Sequence, residues 1–192
     1  IGSGERVRGL NIGGLAVGAG GDISGFSFGG LAVGSGGNIK GINSSVLVVG
    51  SGKSITGLTV AGLVIGAGES VRGINLGGLV IAGGESITGL NLAGIAVAGP
   101  EIKGINMALS VGGMRVKGLT LAPAYVRIEG DEGFMKGISI SAFNHIKGHH
   151  QGLAIGIFNY ARDIKGLQIG ILNYVRNNRK GLRLLPVFNS RF

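Results

Sequence analysis

Val71-Arg72-Gly73-Ile74-Asn75-Leu76-Gly77-Gly78-Leu79-Val80-Ile81-Ala82-Gly83-Gly84-Glu85-Ser86 is one unit of a tandem repeat, and reading it decides the fold. Apolar residues stand at unit positions 1, 4, 6, 9 and 11. The pairs 4/6 and 9/11 alternate as strand residues do, and glycines separate the two runs. A helix would need spacings of three and four sustained over several turns, and each interior glycine would cost it about 1 kcal/mol. The position-3 glycine anchors the repeat. It recurs at Gly9, Gly25, Gly41, Gly57, Gly73 and Gly89, sixteen residues apart. It continues at Gly104, Gly118, Gly137, Gly152, Gly166 and Gly181 with spacings of 14 to 19.

This periodicity predicts an all-β chain: a single β-solenoid of about twelve coils, 14–19 residues each, with two short strands per coil. One coil cannot bury its apolar side alone, so coils must stack and like residues form ladders. Glycine suits the places where the chain needs positive φ or close backbone approach. The expected organisation is one repeat domain over 1–192: strict coils over 1–103, looser coils over 104–180 and a C-terminal cap over 181–192, closed by Leu184-Leu185-Pro186-Val187-Phe188. The competing architecture is a transmembrane β-barrel, which needs alternating strands of about ten residues and aromatic girdles. Here the alternating stretches are shorter and glycine-broken.

Alternation within the pairs assigns positions 4, 6, 9 and 11 to the core. Position 4 runs Leu10, Phe26, Ile42, Leu58, Ile74, Leu90, and position 9 runs Leu15, Leu31, Leu47, Leu63, Leu79, Ile95. Position 5 (Asn11, Ser27, Asn43, Thr59, Asn75, Asn91, Asn106, Thr120, Ser139) is then expected outside. There it would be a self-bonded ladder or a binding strip for sugar or ice. Position 10 is also expected outside, as a candidate docking strip of Ala16, Ala32, Val48, Val64, Val80 and Ala96 for a second copy or another protein.

The chain of 192 residues carries 42 glycines, 44% apolar residues, few aromatics and no cysteine. Disulfides and thiolate metal sites are therefore excluded. It begins at Ile1 already inside a repeat, which suggests a processed or truncated chain. No uninterrupted apolar run reaches eighteen residues, so no membrane-spanning helix is expected. The formal charge is +9, and from Phe134 onward nine basic residues face Asp163 alone, which places +8 of it at the C-terminal end. Eight of the twelve residues just before the anchor glycines are basic and in register. Lys136, Lys165, Arg176, Arg179, Lys180 and Arg183 are the candidate binding residues for an anionic partner, lipid or glycan. Nucleic acid is not expected, because stacking aromatics and recognition motifs are lacking. Phe143-Asn144, Phe158-Asn159-Tyr160, Leu172-Asn173-Tyr174 and Phe188-Asn189 form a second asparagine ladder. It is read as satisfying backbone groups at a corner while the aromatics fill a wider core.

No catalytic, cofactor or metal constellation emerges. His145, His149 and His150 read as a solvated turn between coils, with no carboxylate at motif spacing. The Gly-rich corners lack the Gly-Lys-Ser/Thr of a phosphate loop. Gly166-Leu167-Gln168-Ile169-Gly170-Ile171-Leu172-Asn173-Tyr174, with Lys180-Gly181-Leu182 and Leu185-Pro186-Val187-Phe188-Asn189, resembles the leptospiral-type bacterial surface-repeat family over about 135–192. That resemblance implies an outer-membrane-associated or surface-exposed protein of the Gram-negative envelope and supplies no catalytic residues. The expected function is a non-enzymatic structural or binding module that docks through its apolar ladder or its basic end. The alternatives are an outer-membrane barrel component and a glycan-acting enzyme built on a solenoid.

Overall fold

The computed structural model describes residues 2–191. Ile1, where the repeat reading begins, and Phe192, the last residue of the expected cap, lie outside the described residues. Every regular element described is a β-strand. The chain divides into two compact units, up to Gly99 and from Pro100 onward. Each is a parallel β-solenoid, and together they make about ten turns.

In the first unit each coil has a long strand of seven or eight residues and a short one of three or four. The long strands are Val7–Gly13, Ile23–Gly29, Ile39–Ser45, Ile55–Ala61, Ser70–Gly77 and Ser86–Ala93. The short ones run from Ala16–Ala19 to Ala96–Ala98. Each strand pairs in parallel with its counterpart one coil on, in strict register: Gly57 with Gly73 and Gly73 with Gly89, Val64 with Val80 and Val80 with Ala96. Transmembrane barrels close with antiparallel strands. The anchor glycines from Gly9 to Gly166 lie within strands and all have positive φ, from 89° to 143°.

The second unit opens with the same scheme: long strands Glu101–Met107, Arg115–Leu121 and Phe134–Ile140, short strands Ser110–Gly113 and Tyr125–Ile128. A continuous strand, Phe143–Val175, then winds through the remaining coils. The twelfth anchor, Gly181, opens no further coil; it lies in the turn before the last strand, Leu184–Arg191. That strand folds back antiparallel on Gly166–Tyr174. Pro186 has no N–H to give a ladder, and it sits where the pairing skips between Gly170 and Asn173, the kind of irregularity that tolerates proline.

The interior corrects the expected facing. Positions 1 and 11 form the apolar core: Ile23, Ile39, Ile55, Val71 and Ile87 in one column, Val17 through Val97 in the other, nearly all with no exposed surface. Position 5, expected outside, is buried from Asn11 to Ser139. Positions 4, 6 and 9, expected inside, hold no buried residue in the first unit; Leu10 and Leu15 are 70% and 74% exposed. The reason is strand parity. A strand that starts with an inward residue at position 1 turns positions 5 and 7 inward and 2, 4 and 6 outward, while the positive-φ glycine at position 3 is not buried. The sixteen-residue coil leaves a narrow interior that β-branched and short polar side chains fill.

Buried polar groups require partners, and the ladder supplies some of them, though the side chains of Asn43, Thr59 and Thr120 find none among the described residues. Asn11 Nδ2 donates to Ser27 Oγ (3.3 Å) and Asn75 Nδ2 to Asn91 Oδ1 (2.9 Å). In the second unit the polar column changes place. The position-11 column reads Val111 and Val126, then Asn144, Asn159 and Asn173, all buried. Ser139, the last small polar residue of the position-5 column before Ala154, donates its hydroxyl to Asn144 Oδ1 and so joins the two lines across the interior. Asn144 Nδ2 donates to Asn159 Oδ1, and Asn159 Nδ2 donates to Asn173 Oδ1, each at 2.8 Å. Their amides also cap the carbonyls of Ile155 and Ile169. The second ladder thus satisfies backbone groups as expected, but the aromatics beside it do not fill a core. Phe143 and Phe188 are 49% and 58% exposed and Phe158 is half-buried, because a residue flanking an inward Asn in a strand must point out.

Asn159→Ala removes a donor from Ile169 O and Asn173 and an acceptor from Asn144. It is expected to destabilise the second unit by about 2–3 kcal/mol. Asn177→Ala, at an exposed turn, should cost less than about 0.5 kcal/mol. Urea unfolding followed by circular dichroism compares the two.

Candidate docking surface

With the small polar residues inside, the outer wall of each coil is apolar from position 4 to position 10. The wall is widest at positions 4, 6 and 9, which the repeat reading had placed in the core. The signal that could have found it is the parity of position 1, always Ile or Val in the strict coils. The proposed docking strip is one part of this wall. Ala16, Ala32, Val48, Val64, Val80 and Ala96 align one above another in register. Ala16 and Val48 are exposed and the other four are half-buried.

The second unit has an apolar wall of its own, with Ile138, Ile140, Ile157, Ile169 and Ile171 all exposed. Two unlike borders flank it. One is the row before the anchor glycines, where Lys103, Lys117, Lys136 and Gln151 pair in register. Gly166, next to Lys165, packs on Gly152, next to Gln151, so Lys165 extends the row. The other border is a column of rings. Tyr125 Oη lies 2.9 Å from His145 Nδ1, His145 meets Tyr160 edge-on at 5.0 Å, and Tyr160 stacks on Tyr174 at 5.4 Å and 8°. Partial burial, with Lys147 and Arg127 nearby, holds the His145 pKa below the ordinary histidine value. Beyond the rings come Lys147, Arg162 and Arg176.

Lys136, Lys165, Arg176, Arg179, Lys180 and Arg183 are all exposed. They do not form one cluster: Lys136 and Lys165 belong to the first border, Arg176 to the second, and Arg179, Lys180 and Arg183 to the segment between the last two strands. Some neighbouring cations are already neutralised. Arg162 is 3.0 Å from Asp131, Lys103 is 3.1 Å from Glu101, and Arg191 is 3.0 Å from Asp163. Among the described residues no carboxylate lies within ion-pair reach of Lys117, Lys136, Lys147, Lys165 or Arg176.

The three histidines are not a solvated turn. All lie in the strand Phe143–Val175, where alternation separates their environments. His149 is exposed, with Nδ1 3.5 Å from Asp163 Oδ2. His150 is 1% exposed and occupies the position-1 column, paired with Met135 one coil back. Neither of its ring nitrogens has a hydrogen-bond partner among the described residues, and burial lowers its pKa from 6.5 to about 4. Among the described residues no three His, Cys, Asp or Glu side chains gather as metal ligands would. Comparison with protein-family models, with curated proteins and with solved structures finds no match to the chain.

Proposed function

We propose that this chain is a non-enzymatic structural and binding module of the bacterial cell envelope, a β-solenoid scaffold that docks through the apolar side of its coils. One observation carries the reading: the coils leave their Leu and Phe side chains on the outside and turn the Asn, Ser and Thr of position 5 inward. Exposed apolar patches beyond a few hundred Å² mark interaction surfaces, and leaving this one in water would forgo about 25 cal/mol for each Å² of it. The resemblance of the C-terminal coils to envelope surface repeats supports the location. The exposed basic residues of the second unit supply a preference for anionic partners.

Solution mass with and without a mild detergent tests the reading. The chain is expected to self-associate or adsorb in plain buffer and to become monodisperse with bound detergent. A monomer that stays monodisperse in buffer and binds no detergent would overturn it.

A further inference from the structure

We infer that the partner of the second unit's apolar side is an anionic phospholipid bilayer, on which the unit lies with Ile157, Ile169 and Ile171 in the acyl region. The inference rests on the docking reading above and names its partner. Three features select a bilayer. First, the wall between the borders is made of aliphatic and phenyl side chains without hydrogen-bonding groups: Ile138 and Ile140, then Ile157 and Ile171, then Phe143. A glycan surface would need donors and acceptors there.

Second, both borders match the layers of a membrane interface. Tyr160 and Tyr174, half-buried rings with polar tips, stand between the apolar wall and Lys147 and Arg176, which have no carboxylate partner among the described residues. Tyrosine settles at headgroup depth, and lysine and arginine reach the phosphates. Lys117, Lys136 and Lys165 give the opposite border the same cationic level.

Third, the charge argues against a second copy. Two units meeting wall to wall would bring cationic borders together, with nine basic residues against one acidic from Phe134 onward on each chain. Like charges facing each other oppose such a dimer, whereas an anionic leaflet attracts the same rows.

Flotation of the full chain with phosphatidylglycerol vesicles and with phosphatidylcholine vesicles tests this. Binding to phosphatidylglycerol is expected to be at least tenfold stronger. The triple variant Lys136→Gln, Lys165→Gln, Arg176→Gln, all at exposed sites, should weaken it roughly a hundredfold, at about 1 kcal/mol per cation near an anionic surface. Ile157→Ser with Ile171→Ser should reduce binding to vesicles of both kinds while circular dichroism stays unchanged. Equal binding to both lipids, or binding unaffected by the triple variant, would overturn the anionic preference. Detergent-dependent mass without vesicle binding would sink the bilayer and leave the docking reading standing. Absence of both effects would sink the two together.

Discussion

Gly73→Ala is expected to destabilise the first unit by roughly 3–4 kcal/mol, although it adds a single methyl group. Two independent costs combine. Gly73 has φ 115°, a region nearly closed to L-residues, where strain alone amounts to about 1–3 kcal/mol. A Cβ there would also fall inside 3.0 Å of the Gly57 backbone one coil below, a distance that real Cβ atoms essentially never show. That contact is with main chain held in the parallel ladder, so it cannot yield by rotating a side chain. Gly66→Ala is the matched control. A Cβ at Gly66 meets nothing within 4 Å, its φ is not positive, and Ala82 and Ala98 occupy the same place in the next two coils. It is expected to be neutral or slightly stabilising, by a few tenths of a kcal/mol at most. Urea midpoints of the two variants measure the difference. Equal midpoints would mean that the anchor glycines are not what holds the coils at their spacing.

Acidification should loosen the second unit through His150. Its folded-state pKa is about 4 against 6.5 for the free side chain, because burial disfavours the charged ring. The sign follows from proton counting. Above pH 6.5 both states are neutral and the histidine contributes no pH dependence. Below it the unfolded chain takes up a proton that the folded chain refuses, so stability falls with pH. The loss reaches about 3 kcal/mol near pH 4 and flattens once the folded form is also protonated. In its column His150 pairs with Met135, an uncharged neighbour. His150→Met should therefore fold and lose this dependence. The measurement is unfolding free energy from pH 7 to pH 4 for both proteins, read as their difference, which cancels the carboxylates. A constant difference across that range would show that the ring titrates normally.

Both predictions depend on how narrow the interior is. A coil of about sixteen residues has room for Ile and Val at positions 1 and 11 and for Asn, Ser or Thr at position 5. Long Leu and Phe side chains are left for the outer wall. Hydrogen bonds along the stack let amides line the inside. The outer apolar wall, not a pocket, then becomes the surface that needs a partner.

The repeat itself was legible from residues alone. The sixteen-residue spacing, the anchor glycines and two strands per coil follow from local rules: alternation within a strand, and glycine where φ must be positive. The basic C-terminal end and the second asparagine ladder were visible for the same reason. Which side of each strand faces inward was not legible. Positions 1 and 4 are both apolar yet opposite in parity, and the pattern by itself admits Ile74 as core with Asn75 outside, or the reverse. Stacking decides between them. In the stack the position-1 residues Val71 and Ile87 face inward, and strand parity then turns Asn75 in and Ile74 out. The join of two polar columns through Ser139 and Asn144, the burial of His150 and the reversal of Leu184–Arg191 also depend on contacts between coils. Periodicity is a property of one coil, and facing is a property of the stack.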